Sequence, residues 1–341
     1  MNAGLDRPIA AARAVLLCVA QACLVFTWLS TAPGAAFAQA DGAGYPARPI
    51  RVVVGFAAGG GNDLMARIIA HKLSENIGQP VVVENRTGAG GRLAIEFLQN
   101  LPADGYSFIV GGIGQLSVAS AIYPNLSFHP TRTLAPLMML ASYPLIIAGG
   151  TNGAIASVKD LVAFAKAHPD QSNYPTSSPA FTIATELIKL KTGMPAQAIP
   201  YKSTNEMMLS IVGGQTLFGI ADPATVVPLV QSGKLRALAV ADRVRSADLP
   251  DVPTLAEVGL ADVDTRVQWS GAFARAGTPG AILARLEAEL ARVLADSTMR
   301  ERIRAMAYDP GGGTAADFAR LVEEDIRVFG EVVRAAGLKF E

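Results

Sequence analysis

Short β-branched runs alternate along this chain with longer segments whose apolar residues recur every three or four positions. Ile50–Val54 is one such run. It is followed by residues 62–77, where Leu64, Met65, Ile68, Ile69 and Leu73 fall at helical spacing, and then by the apolar, β-branched stretch 81–83. Strand, helix and strand are predicted in that order. Arg92–Gln99 repeats the helical spacing and 107–110 the strand, a succession that packs as a parallel sheet covered by helices on both faces. After Pro144 a second series begins, with strands at 145–148, 172–174, 217–220 and 236–240 and helices at 157–167 and 181–191. The fold class is α/β, in two similar lobes. The carboxyl end is helical over 279–295, 297–306 and 315–336, rich in Ala, Leu, Glu and Arg. Gly311, Gly312 and Gly313 separate the last two of these helices, which are expected to pack back on the first lobe.

No long Pro/Ser linker divides the series, so short crossings near 141–149 and 266–274 are expected in place of a floppy tether. Residues 45–142 with 266–341 would form one lobe and 143–265 the other. The 341 residues suit such a division, being 50% hydrophobic and 17% charged with a formal net charge of zero. Basic residues are scattered among equal numbers of acidic ones, which argues against nucleic acid or an anionic membrane surface as partner. At the amino end, Arg7 and Arg13 precede an apolar run over 14–29, and Pro33 leads into Ala36, Phe37, Ala38, Gln39 and Ala40. This reads as a signal peptide over residues 1–40 with cleavage after Ala38 or Ala40. The run falls short of the ~20 residues of a spanning helix. Both cysteines, Cys18 and Cys23, lie inside it, so the mature chain is expected to have no disulfide and no thiolate chemistry.

The candidate chemistry begins where the first strand meets the first helix. Phe56, Ala57, Ala58, Gly59, Gly60, Gly61, Asn62 and Asp63 form a loop whose consecutive glycines let backbone amides approach an anion. A phosphate is disfavoured, because no Lys-Ser or Lys-Thr follows and the dinucleotide glycine spacing is missing. The same residues also read as a plain turn with Asn62 or Asp63 capping the helix. Catalysis and metal binding find little support. His71, His129 and His168 are far apart, Glu323, Glu324 and Asp325 read as a solvated helix face, and Met138-Met139 and Met207-Met208 read as core filling. No cofactor is expected.

Several ordered motifs carry a family resemblance. Tyr45-Pro46-Ala47-Arg48-Pro49-Ile50 with the triple-glycine loop is followed by Gly78-Gln79-Pro80-Val81-Val82-Val83-Glu84-Asn85-Arg86, then by Gly88-Ala89-Gly90-Gly91 and Pro102-Ala103-Asp104-Gly105-Tyr106. Pro200-Tyr201-Lys202, Gly213-Gly214-Gln215, the stretch 233–240, Leu249-Pro250-Asp251-Val252-Pro253-Thr254 and Gly277-Thr278-Pro279 continue the order. Together they resemble the Bug-type receptors of tripartite tricarboxylate transporters over essentially the whole mature chain. The resemblance implies a type II periplasmic-binding-protein fold, a ligand cleft between two α/β lobes, and no catalysis. It also implies periplasmic residence, a small carboxylate ligand, and large and small integral-membrane subunits as partners of a monomeric receptor. The carboxylate would be held by backbone amides of two strand-to-helix loops. The first is the glycine loop, and the second maps onto Ser177, Ser178, Pro179, Ala180, Phe181 and Thr182. Here the chain departs from its relatives, lacking their usual glycine and histidine, and Ser203 replaces another glycine. Phe181 either lines the pocket, favouring an aromatic or hydrophobic carboxylate, or packs into its lobe. Asp222 is read as a cleft residue or a simple helix cap, and Gly114 and Gln115 as cleft residues or a surface turn. A periplasmic sensor would need the same cleft, and a secreted hydrolase would need a catalytic constellation that the sequence lacks.

Overall fold

A computed structural model describes residues 44–338 except 152, 154 and 264–266. The signal segment and both cysteines lie outside the described residues, as does Arg266 at the expected second crossing. In chain order the strands are β1 Ile50–Val54, β2 Val81–Asn85, β3 Ser107–Gly112, β4 Leu134–Tyr143, β5 Leu145–Gly150, β6 Asn173–Thr176, β7 Gln197–Pro200, β8 Phe218–Ala221, β9 Leu235–Ala241, β10 Gln268–Arg275 and β11 Asp309–Gly312. The helices are α1 Gly61–Ile77, α2 Arg92–Gln99, α3 Ala119–Ile122, α4 Val158–Ala167, α5 Pro179–Thr192, α6 Thr204–Val212, α7 Pro223–Gln231, α8 Gly280–Ala295, α9 Ser297–Arg304 and α10 Ala315–Ala335.

The first sheet runs in the order β11-β4-β10-β3-β1-β2. Strand β1 pairs parallel with β2 and β3, as helix-linked strands do, whereas β10 lies antiparallel to both β3 and β4. The all-parallel expectation is therefore corrected to a mixed sheet. Strands β4 and β10 carry the chain out of this sheet and back into it, so neither is bound by the strand-helix-strand crossover that imposes parallel order. Both also escaped the sequence pattern. LAPLMMLASY and QWSGAFAR are rich in Ala, Ser, Met and Gly, and they hold a strand only because each is paired within the sheet.

Alternation along β1 builds two cores. Val52 and Val54 face Met65, Ile69 and Leu73 of α1 and Leu286 and Leu290 of α8, while Val53 faces Ile95, Leu98, Trp269 and Phe318 on the other side. The carboxyl-terminal helices do pack on this sheet, through Ile282 and Val293 on one face and Phe318, Val322 and Phe329 on the other. Asp325 is not part of a solvated face: it is buried and accepts from the Trp269 indole N–H at 2.8 Å, while Glu323 and Glu324 are exposed.

At Pro144 the chain leaves β4 of the first sheet and enters β5 of the second, whose order is β8-β5-β9 with both pairings antiparallel. A parallel pair, β6 with β7, stands beside it. A third core joins Ile146, Tyr174, Met207, Met208, Ile211 and Phe218. The second set is thus not a copy of the first, though both end their strands at one shared cleft.

Candidate functional site

Three strand-to-helix junctions meet at a narrow cavity: β1 to α1, β6 to α5 and β8 to α7. The segment after β3 closes one wall. The first junction contributes Phe56, Gly60, Gly61 and Asn62, the second Ser177, Ser178 and Phe181, and the third Asp222. Gly112, Ile113, Gly114 and Gln115 line the wall from β3, and Tyr143, Thr204 and Gln268 complete the surround. The cavity encloses only about 20 Å³. The two sides stand nearly closed.

The glycine loop is shaped from behind by Asp63. Its carboxylate accepts from the Gly59 N–H at 3.0 Å, from Arg67 Nε at 2.9 Å and from Asn85 Nδ2 at 2.8 Å, and Asn85 also donates to the Phe56 carbonyl at 2.8 Å. Burial alone would raise the Asp63 pKa, but the bonds from Arg67, Asn85 and Gly59 together hold it below the ordinary carboxylate range. Asp63 therefore points away from the cavity and braces the loop, leaving the start of α1 without a capping side chain. The start of α5 is likewise uncapped, with Pro179 in the first turn and Ser178 ahead of it. Two helix amino ends without a capping side chain thus border one space, an arrangement suited to an anion, although at α5 Pro179 has no N–H and the Phe181 N–H donates to the Ser178 carbonyl at 3.1 Å. No Lys or Arg is among the described residues lining it.

Asp222 gives the opposite sign. It is buried, caps α7 by accepting from the Thr225 N–H at 3.3 Å, and accepts from the Tyr308 hydroxyl at 2.9 Å, all on the same oxygen, Oδ1. Burial raises its pKa, and the bonds from Tyr308 and Thr225 oppose that rise without cancelling it. The ring of Tyr308 stacks on Tyr143 at 4.1 Å between centroids. Burial and the charge of Asp222 raise the Tyr308 hydroxyl's pKa in turn. A second bond between the sides runs from the Ala57 N–H to the Lys202 carbonyl at 3.3 Å.

Of the residues singled out in the sequence, Phe56, Gly60, Gly61, Asn62, Gly114, Gln115, Ser177, Ser178, Phe181 and Asp222 line the cavity. Ala57, Ala58, Gly59, Asp63, Pro179, Ala180 and Thr182 are not among its lining residues. Phe181 meets both of its readings, reaching the cavity while packing in the third core. Thr182 turns inward to bond Thr176 at 2.8 Å, and Ser203 caps α6 through the Glu206 N–H at 3.2 Å. Gly112, Ile113, Tyr143, Thr204 and Gln268 carried no signal of their own. Gly112 ends and Ile113 follows β3, whose end was read two residues early, and Gln268 opens β10, which was not foreseen. Among the described residues no cluster of His, Cys, Asp or Glu is arranged to hold a metal, and no helix is long and apolar enough to cross a membrane.

Residues 65–338 match the tripartite tricarboxylate transporter family receptor, TctC. Protein BugT of Bordetella pertussis is 31% identical over 92% of this chain and 96% of its own length. Among solved structures, that of an R. palustris protein with adipate superposes at a TM-score of 0.82 with 32% identity, covering 86% of this chain and 99% of the other. MatC from Rhodopseudomonas palustris with bound malate follows at 0.81 and 29%, covering 85% and 100%. The periplasmic binding protein BugD stands at 0.82 and 27%, covering 87% and 100%. The fold is accordingly that of a periplasmic binding protein, two α/β lobes with a cleft between them, and the chain belongs to the tripartite tricarboxylate transporter receptor family.

Proposed function

We propose that this chain is an exported receptor that captures a small carboxylate in the cleft and delivers it to the large and small membrane subunits of a tripartite tricarboxylate transporter. The observation that carries the reading is the pair of uncapped helix amino ends, α1 and α5, meeting at a cavity whose lining, among the described residues, has no basic side chain. Amides fixed in that geometry stabilise an anion by charge-assisted hydrogen bonds and by the helix dipoles, so no Arg or Lys is needed. The solved relatives with adipate and with malate support a carboxylate as the class of ligand. In this reading the ligand sits among Phe56 to Asn62 on one side and Ser177 to Phe181 on the other, with Asp222 at its flank. One lobe comprises residues 45–142 and 266–341, the other 143–265. The protein acts as a monomer in the periplasm after removal of residues 1–40, and performs no catalysis.

The nearly closed cavity has a consequence for binding. Room for about one water does not admit a dicarboxylate, so the lobes open before the ligand enters and close on it. A thermal-shift screen of the mature protein across mono-, di- and tricarboxylates tests the reading, because a ligand bound only by the folded state raises Tm. At least one acid should raise Tm and bind with one-to-one stoichiometry in calorimetry, without turnover. A screen in which uncharged amides of the same acids do as well as the acids would overturn it.

A further inference from the structure

One wall of the cavity holds a group that an anion alone does not satisfy. The Gln115 side chain is fully buried and lines the cavity, and among the described residues neither its Oε1 nor its Nε2 has a hydrogen-bond partner. Exchanging the two atoms changes nothing, because both ends are unpaired. Nor is the amide free to turn away. It lies in a box of three glycines, where a Cβ on Gly55 would come within 3.0 Å of Oε1, one on Gly91 within 2.8 Å of Oε1, and one on Gly111 within 2.5 Å of Nε2. Gly111 is the position held open for the amide itself, since Gly55 also abuts the Gly91 backbone at 2.8 Å and Gly91 has φ +91°. Across the cavity, on the other lobe, Ser177 Oγ is likewise buried and unpartnered.

A carboxylate has only acceptors, so it pairs with Nε2 and leaves Oε1 facing a like partial charge. A hydroxyl donates and accepts at once. It answers both ends of the amide in turn, or one end of Gln115 together with Ser177 Oγ. We propose that Gln115 and Ser177 form a neutral recognition station for a hydroxyl group, and that the ligand is a hydroxycarboxylate whose carboxylate lies at the α1 and α5 amino ends. This rests on the carboxylate reading above and narrows it. The station is a specificity determinant: a buried amide left unpaired rejects the ligand that lacks the hydroxyl more strongly than a lost contact would.

Calorimetry on the mature wild-type, Gln115→Met and Ser177→Ala proteins tests this with two matched pairs of probes, succinate against malate and 3-phenylpropionate against 3-phenyllactate, with succinamide as the uncharged control. In wild type the hydroxylated member of at least one pair should bind about tenfold or more tightly than its partner. Gln115→Met should reduce that preference below about threefold by weakening the hydroxylated member, and Ser177→Ala should weaken the same member. The unliganded Gln115→Met protein should melt no lower than wild type, since an apolar chain of similar length replaces an unpaired amide. If the acids bind but the hydroxyl makes no difference, or if the preference survives in both variants, the station is overturned while the carboxylate reading stands. If no acid binds, or succinamide binds as well as succinate, the carboxylate reading falls and this inference falls with it.

Discussion

Removing one oxygen, in Tyr308→Phe, isolates the bond that joins the two sides of the cleft behind the ligand position. The phenol donates to Asp222 Oδ1 at 2.9 Å, both residues are buried, and the ring's stacking on Tyr143 at 4.1 Å does not depend on the hydroxyl. Packing is therefore conserved and only the hydroxyl's hydrogen bonds with Asp222 and Tyr143 are lost, of which the one to Asp222 joins the two sides. A bond to an ionised group contributes about 1.5–3 kcal/mol and a neutral one about 0.5–1.5 kcal/mol, so the cost depends on the charge of Asp222. Burial holds the Asp222 pKa above the ordinary carboxylate range. The stability that its protonated form contributes is full below the unfolded pKa and is lost as pH rises through the folded one. Tyr308 pulls the other way by donating to the charged form, so its loss raises the Asp222 pKa further. The gap between wild type and variant should then be smallest in acid and widen as pH rises through the wild-type folded pKa, reaching about 1.5–3 kcal/mol. In Tm this is roughly 2–5 °C for a chain of this size. Urea titrations from pH 4 to 8, followed by tryptophan fluorescence, measure it. A gap that is absent, or the same at every pH, would refute the assignment of a hydrogen bond to an ionisable buried Asp222.

Gly61→Ala should lower unfolding free energy by about 1–3 kcal/mol in urea titrations, because its Cβ would stand 2.1 Å from the Tyr308 hydroxyl and 2.7 Å from Asp222 Oδ1. Gly60→Ala should be close to neutral, since a Cβ there meets the Thr204 N–H at an ordinary 3.8 Å, whereas Gly60→Val reaches across the cleft and should weaken carboxylate binding about tenfold in calorimetry with the fold intact. Asp63→Asn should cost about 2–3 kcal/mol near pH 7 by weakening the bonds from Arg67 and Gly59. That difference should be present above the unfolded carboxylate pKa and vanish as pH falls through the depressed folded one. X-ray scattering should show a smaller radius of gyration with saturating ligand than without, and an unchanged radius would count against opening.

Much of the cleft was legible because glycine and strand-to-helix junctions leave a sequence signature. The run from Gly59 to Gly61 after a β-branched strand marked the first junction, and Ser177 and Ser178 ahead of a helical pattern marked the second. Within that run Gly60 has ordinary extended backbone at φ −82°, and its neighbour Gly61 is the one that no side chain can replace without displacing Tyr308. Backbone freedom is a local property, but crowding by a residue 247 positions away in the numbering is not visible in a local pattern. Tyr143 and Thr204 were missed for the same reason. Their role comes from where β4 ends and α6 begins in space, and neither residue type announces it.

The cleft also shows why charge composition said so little about the ligand. A neutral chain with no basic motif in either loop looks indifferent to anions, yet the positive ends in the cavity are backbone amides, which no count of Lys and Arg records. Among the described residues, the only acid lining the cavity, Asp222, is held toward its neutral form by burial. A carboxylate bound beside it would raise its pKa again by like-charge repulsion, so binding should take up protons and affinity should rise as pH falls. Tyr143 and Tyr308, the other titratable groups against Asp222, stay protonated throughout because burial raises both. Calorimetry of one carboxylate in two buffers of different ionisation enthalpy reads the proton count directly. Uptake that disappears in Asp222→Asn would locate the proton there, and no uptake in wild type at any pH from 5 to 8 would place the ligand carboxylate away from Asp222.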